Sequence, residues 1–491
     1  MLAELDRLWP SLAHAAGVFF VAVSLALVPV VLLRRKEPSS TIAWILTLVF
    51  LPAVGAVLFW LFGRDRVRWP AKRKRELDAV VRAQVSEVRD GSGEKGEAEA
   101  APDASQSTLE RAIFRVSARL THQPATTGNA VRVLTEGHAT YDAIADAIDA
   151  ARHHVHAQYY LIRDDASGRG FRDRLVAAAK RGVHVRLLVD GFGCFALGRS
   201  FYAPLRKAGA HIGEFLPMRS VLLQPVNLRN HRKIVVVDGE TAFTGGFNVG
   251  DEYRGGTLAG MGSWRDVHLR IEGPAAADLQ RVFFQDWAFA TREPIDPREY
   301  FPRNRGRRGG ATVAIVPSGP DTRTEAIHRV FFGAIAGAER EVLVTTPYFV
   351  PTESLLVAME VAAMRGVAVR VLLPGHSNHA VTYHAGRSFY AELVAAGVEI
   401  REYVPGLVHA KTLVADGQVA LVGSANMDLR SFRLNFEVHA LVHDTTTATA
   451  LRETFDAELA ESRRVEIEAW RARGWSLKLR EGAARLVSPL L

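Results

Sequence analysis

Cysteine is all but missing. Cys194 stands alone in 491 residues, so no disulfide forms within the chain, an oxidising compartment is not required, and a cysteine-ligated zinc site is excluded. The histidines do not fall in metalloprotease or zinc-finger spacing, and neither a P-loop nor a dinucleotide-binding glycine fingerprint occurs. The sequence therefore offers no grounds for a metal, a nucleotide or any other cofactor. Acidic residues are outnumbered by basic ones, 53 to 61, which leaves a formal net charge of +8 and a pI near 9.7. This balance favours an anionic partner, but nucleic acid, phospholipid headgroups and an anionic bilayer would each satisfy it. A chain of this length with 48% hydrophobic residues is large enough for two domains.

Charge is also missing locally. No Asp, Glu, Lys or Arg occurs from Ala13 to Leu33, long enough for a helix to cross a hydrocarbon core of roughly 30 Å. A second such run, Thr41 to Phe62, follows the polar stretch Arg34-Arg35-Lys36-Glu37-Pro38-Ser39-Ser40 and carries Trp44 and Trp60 near its ends. A transmembrane hairpin of two helices is expected, with both termini on one side. A cleaved signal peptide fits less well, because the chain does not start basic and the second run follows at once. Beyond it, Arg64, Arg66, Arg68, Lys72, Arg73, Lys74 and Arg75 outweigh the three basic residues of the connection. The positive-inside rule then places the large C-terminal part in the cytoplasm, as the body of a multi-pass protein of the inner (plasma) membrane. The same basic flank attracts anionic membrane lipid.

Residues 90–108, rich in Gly, Glu, Ala and Ser, lack apolar periodicity and read as a tether. After about Asn129 short β-branched runs alternate with helical segments, the pattern of an α/β fold: strand for His153–Ile162, helix for Gly170–Arg181, strand for Val183–Val189. This body repeats itself. Arg181-Gly182-Val183-His184-Val185-Arg186-Leu187-Leu188 matches Arg365-Gly366-Val367-Ala368-Val369-Arg370-Val371-Leu372, and Ala208-Gly209-Ala210-His211-Ile212 matches Ala396-Gly397-Val398-Glu399-Ile400. Two copies are too few for a solenoid, so a duplicated α/β unit whose halves face one another is expected. The expected division is a hairpin and basic flank over 1–75, a helical or disordered linker over 76–128, a first domain over 129–305 and a second over 306–491.

Each half contains H-x-K-x-x-x-x-D-G: His231, Lys233, Asp238 and Gly239 in the first, His409, Lys411, Asp416 and Gly417 in the second. One H-x-K arises by accident on any polar strand. Two at matched places in a duplicated fold do not. If each motif begins a strand, His and Lys project to one side. The ammonium offsets charge on phosphate oxygens while the imidazole attacks phosphorus or protonates a leaving alkoxide, the requirements of a phosphodiester reaction. Thr244-Gly245-Gly246-Phe247-Asn248 and Val422-Gly423-Ser424-Ala425-Asn426 follow in matched positions; glycine allows close approach, and the amides of Asn248 and Asn426 can donate to phosphate. Asp238 and Asp416, candidates as motif members, also head Asp-Gly turns between β-branched runs, and an extended strand would leave Asp238 roughly 16 Å from Lys233. A turn role is favoured for them over substrate contact. Asp266 and Glu437 are the better candidates to orient the imidazoles; the plain alternative is that they are surface carboxylates.

These motifs resemble the phospholipase D superfamily and, within it, the bacterial cardiolipin synthases. The resemblance extends to Ala43-Trp44, Leu51-Pro52, Gly245 to Tyr253, Trp264-Arg265-Asp266, Gly423 to Asp428, Arg430-Ser431-Phe432, Asn435-Phe436-Glu437 and Ser488-Pro489-Leu490-Leu491. It implies phospholipase D-like domains that transfer a phosphatidyl group from one phosphatidylglycerol to another without metal, through a phosphatidyl-histidine, releasing glycerol and giving cardiolipin. By the same resemblance His231 is the nucleophile and His409 the acid and base, although the motifs alone leave the order open. Lys233, Lys411, Asn248 and Asn426 would hold phosphoryl oxygens, with Ser424 beside them in the second G-S-x-N. Phosphatidylglycerol and anionic membrane lipid are the expected partners and nucleic acid is not, since no aromatic–basic stripe interleaves the body. A hydrolase using water as acceptor, or a membrane-bound nuclease, would use the same residues.

Overall fold

A computed structural model of the chain describes residues 2–33, 38–63, 108–218, 227–256, 262–291, 293, 296–301, 306–322 and 324–487. The loop at 34–37, the basic flank, the tether and the terminal Ser488–Leu491 lie outside them. The described residues divide into an N-terminal helical unit and an α/β body.

In the helical unit, α1 (Leu2–Leu33) contains one stretch long and apolar enough to cross a membrane, His14–Leu33. The second apolar run is not the single transmembrane helix expected. It breaks into α2 (Pro38–Phe50) and α3 (Pro52–Phe62), of 13 and 11 residues, roughly 20 and 17 Å long at 1.5 Å per residue. Neither reaches across roughly 30 Å of hydrocarbon. Pro52 causes the break: its ring disfavours a helical residue before it, and Leu51 sits at φ −132°, ψ 64°. The chain then turns back. Trp44 and Phe59, about 22 Å apart in a straight helix, have ring centroids 5.2 Å apart and share an apolar cluster with Val31 and Leu48. A Cβ on Gly55 would lie 2.6 Å from the Thr47 carbonyl oxygen, so glycine is what lets α3 cross α2 so closely. The buried Ser24 hydroxyl of α1 donates to the Pro52 carbonyl (2.9 Å), tying α1 to the start of α3.

The body is built on one sheet with the same strand succession on either side of a central pair. That pair is Thr126–Leu134 and Ala311–Ser318, which run antiparallel. Outward on one side lie His268–Glu272, Thr241–Gly245, Ile234–Val237, His154–Tyr159, His184–Asp190 and His211–Phe215. Outward on the other lie Asn435–His443, Val419–Gly423, Thr412–Ala415, Glu341–Thr345, Ala368–Pro374 and Glu399–Tyr403, with Ser462–Arg464 added at the edge. In each half the last three of the matched strands are parallel and linked through helices, the βαβ arrangement that alternation predicts. The helices before the matched R-G-V segments both end on a glycine with φ +90°, Gly182 and Gly366, a conformation open to glycine without strain.

Side chains alternate between two cores. In the first half Ile234 and Val236 pack with Val414 and Val438 of the second half, while Val235 and Val237 pack on the helices of their own half. The shared layer gives the two halves one interior. The end of the expected linker packs on the second half's own core, where the helix Thr108–Thr121 buries Leu109 and Ile113 against Ile327, Val330 and Phe331.

Candidate active site

The motif strands begin one residue after each lysine, at Ile234 and Thr412. His231 to Lys233 and His409 to Lys411 therefore occupy the approaches to the strands rather than their first residues. Two short parallel ladders fix these approaches across the halves. Arg229–Asn230 pairs with Asn435–Phe436, and the next residue, His231, donates its backbone N–H to the Phe436 carbonyl at 2.9 Å. Trp264–Arg265 pairs with Leu407–Val408, and His409 donates to the Arg265 carbonyl at 2.6 Å. Each register sets the residue after the ladder on one chain segment against the residue after it on the other. Glu437 thus meets His231, and Asp266 meets His409.

The contacts follow this register. His231 Nδ1 lies 3.2 Å from Glu437 Oε1 and 3.2 Å from Asn435 Nδ2, which also donates to that carboxylate. His409 Nδ1 lies 2.6 Å from Asp266 Oδ2. Each carboxylate accepts from Nδ1 and leaves Nε2 as the outward nitrogen. Both acids are fully buried, not surface groups. They are held in turn by neighbours from the matched G-x-x-N segments. Ser424 Oγ donates to Glu437 Oε2 at 2.5 Å. Gly246, in the place of Ser424, lies so near Asp266 that a Cβ there would be 1.9 Å from its Oδ1.

The lysines lie inside this frame. Lys233 Nζ donates to the His231 carbonyl at 2.6 Å; Lys411 donates to the His409 carbonyl and stands 2.7 Å from its Nδ1. Burial lowers the pKa of Lys233 to about 8 and that of Lys411 to about 7. Burial likewise lowers both histidines to about 4, helped at His409 by the adjoining Lys411 ammonium. For Asp266 and Glu437 burial pulls upward, yet the facing cations win and both stay below the usual carboxylate range. The site at neutral pH thus holds two carboxylates, two neutral imidazoles, a Lys233 ammonium and a Lys411 near the midpoint of its titration.

Asn248 and Asn426 are buried, and the Oδ1 of each lacks a protein partner. Asn248 Nδ2 bonds the Tyr253 hydroxyl at 2.7 Å.

Asp238 and Asp416 stand elsewhere. Their carboxylates accept from the backbone N–H groups of Arg152, His153 and His154, and of Glu339, Arg340 and Glu341, at the starts of the neighbouring strands. Both have φ +54° in the turn ahead of Gly239 and Gly417. As catalytic candidates they are corrected to turn residues: the strand length carries them away from the His–Lys pair, and their lone pairs are taken by backbone.

Several residues at the site escaped sequence reasoning. The Tyr160 ring lies tilted against that of His231, centroids 4.1 Å apart, Trp264 and Tyr253 flank His409 at 5.0 and 5.5 Å, and Arg232 links Asp286 (2.6 Å) to the Glu437 carbonyl (3.0 Å). Tyr253, Trp264 and Asn435 had a signal, since each lies in a segment that carries the resemblance, and Asn435 stands two before the acid and so on its side of the strand.

Comparison with known proteins agrees with this geometry. A family profile described as "Cardiolipin synthase, PLD-like domain" matches residues 144–287 and 332–459, and one described as "Phospholipase D-nuclease N-terminal" matches 21–64. The cardiolipin synthase of Halalkalibacterium halodurans is 36% identical over 97% of this chain and 94% of its own. The major cardiolipin synthase of Bacillus subtilis is 36% identical over 97% and 98%. Among solved structures, a phosphatidylserine synthase from Haemophilus influenzae shares the fold with a TM-score of 0.58 at 15% identity, over 77% of this chain and all of that one. With two His–Lys pairs each set against a carboxylate of the other half, and relatives aligned from end to end, the chain belongs to the bacterial cardiolipin synthase family of phospholipase D-like proteins.

Proposed function

We propose that the protein is a phosphatidyltransferase that joins two phosphatidylglycerol molecules into cardiolipin and glycerol. The observation that carries this reading is the pair of His–carboxylate dyads built across two halves, one dyad for each proton and bond exchange of a double displacement. The equivalent halves, 129–305 and 306–491, are read as duplicated domains facing one another across the shared layer. His231 Nε2 attacks phosphorus of the first phosphatidylglycerol as His409 delivers its proton to the departing glycerol oxygen, and the P–O bond breaks. The hydroxyl of a second phosphatidylglycerol then gives its proton to His409 and attacks phosphorus, breaking the P–N bond. His231 is assigned as nucleophile because its side chain is 19% exposed against 10% for His409, which its carboxylate, lysine and aromatic neighbours enclose as a proton carrier should be.

His409 must hold a proton that burial and Lys411 oppose. An arriving phosphodiester anion favours the imidazolium and draws the Lys411 ammonium toward its oxygens, removing both obstacles. The Tyr253 hydroxyl can donate as well as accept, so rotating the Asn248 amide frees Nδ2 for phosphate without losing that bond.

The membrane arrangement is read as one crossing by α1 and a re-entrant pair, α2–α3. This places Arg34, Arg35, Lys36 and the basic flank after Phe62 on one side, which the positive-inside rule makes cytoplasmic together with the body. Two full crossings would strand the first three on the opposite face.

The test is lipid analysis after supplying the bilayer-reconstituted protein with phosphatidylglycerol alone. Cardiolipin with equimolar glycerol supports transfer. Phosphatidate without cardiolipin makes the protein a hydrolase, and cleavage of an oligonucleotide in place of lipid makes it a nuclease.

A further inference from the structure

The helix Trp475–Val487 lies outside the catalytic frame, and its two sides differ. Its inner side is fixed to the body. Ala484 is buried, Glu481 is buried and paired with Arg473 at 2.5 Å, and the Arg485 guanidinium lies 4.2 Å from the centre of the Phe389 ring. On its outer side Trp475, Leu479 and Leu486 are 77%, 63% and 82% exposed. At about 100° per residue these three fall within about 40° of one another, a single apolar stripe along the helix. Exposed Lys478, whose ammonium also donates to the Arg471 carbonyl at 2.6 Å, and exposed Arg480 flank it. Glu481, the helix's single acid, is turned inward, so no acid of the helix itself borders the stripe.

We propose that this helix is an interfacial docking surface for an anionic phospholipid bilayer. A tryptophan and two leucines on one face with cations beside them are the composition of a helix lying in the headgroup boundary. The cations select anionic headgroups, and the indole favours the same depth. A protein partner or a second copy would bury the stripe but would not need a border of one sign. The surface is separate from the chemistry: it would hold the body of an already anchored chain against the lipid face, whatever the reaction performed there.

The test uses the full-length protein in nanodiscs with an environment-sensitive fluorophore at Leu479→Cys or, as control, at Ser476→Cys, about 100° from Trp475 around the helix. Native Cys194 is 4% exposed and leaves the introduced thiol as the labelled one. In mixed phosphatidylserine–phosphatidylcholine discs the label at 479 is expected to shift to the blue and lose emission to spin-labelled lipid, the label at 476 much less, and both effects to weaken in phosphatidylcholine alone. Equal quenching at the two sites, none at either, or shielding at 479 that follows protein concentration instead of lipid would overturn the proposal. A second reading uses Trp475→Glu with Leu479→Glu: turnover of phosphatidylglycerol is expected to fall severalfold in bilayers and stay unchanged in detergent micelles. An equal loss in micelles would indicate a damaged body and count against a docking role, and a protein inactive on lipid altogether would still give the fluorescence result.

Discussion

Each imidazole is useful only while its carboxylate holds Nδ1, so changes that disturb the carboxylate should act on rate without touching substrate. Gly246→Ala pushes a methyl group into Asp266 and is expected to lower kcat about a hundredfold, whereas Ser424→Ala removes one hydrogen bond to Glu437 and should cost less; steady-state kinetics with phosphatidylglycerol separate the two. His409→Ala should lose about 10²–10⁴-fold, the range of a positioned acid and base. The pH profile has a definite sign. In the free protein the histidines stay neutral above about 4, and the lysines lose their protons near 7 and 8. kcat/KM is therefore expected to fall on the acid side as His231 protonates and on the alkaline side first as His409 loses the proton it must deliver and then as Lys411 and Lys233 go neutral, with Lys411→Arg moving the last of these limbs upward. A profile unchanged by that substitution would remove Lys411 from the account. Asp238 and Asp416 should behave oppositely to the site residues. Asp416→Asn weakens bonds to three backbone N–H groups and should cost about 1–3 kcal/mol of stability while turnover per folded molecule persists. The His–Lys pairs were legible because they occur twice, whereas Tyr160 and Arg232 were not, since nothing in their immediate sequence marks what they touch across the fold.

At the scale of elements, the two short parallel ladders bring the site together. Four residues of pairing on each side decide which carboxylate meets which histidine. Such long-range registers leave no local pattern, whereas the strands they lead into were evident from β-branched runs and the repeat. The second apolar run shows the reverse failing. Its composition satisfied a transmembrane helix, and the punctuating Leu51-Pro52 was in view, but hydropathy does not distinguish a span from a pair that turns back. With impermeant maleimide on intact cells lacking an outer barrier, Lys36→Cys is expected to remain unlabelled from outside, and Ala3→Cys to react. Labelling at position 36 would restore two full crossings.

For the whole molecule, folding into one large sheet body buries much that titrates. His154 and His268 are lowered to about 3, and His231, His409 and His439 to about 4, all chiefly by burial. Because the unfolded chain takes up these protons near 6.5 and the folded one does not, their contribution to stability is complete above about 6.5 and is lost as pH falls toward 4. Asp190 and Asp428, raised to about 6, and Glu458, raised to about 8, oppose this over part of the range, but they are fewer. The melting temperature should therefore drop between pH 6.5 and 4; a flat curve would mean that these histidines are not dry in the folded protein. The central claim is that one histidine carries the phosphatidyl group between two lipids, and it is tested most directly by trapping in alkaline denaturant with phosphatidylglycerol labelled in its phosphate. The account predicts label on wild-type protein in an acid-labile phosphoramidate at His231, and none on His231→Ala. Label that never attaches to the protein while cardiolipin still forms would contradict it.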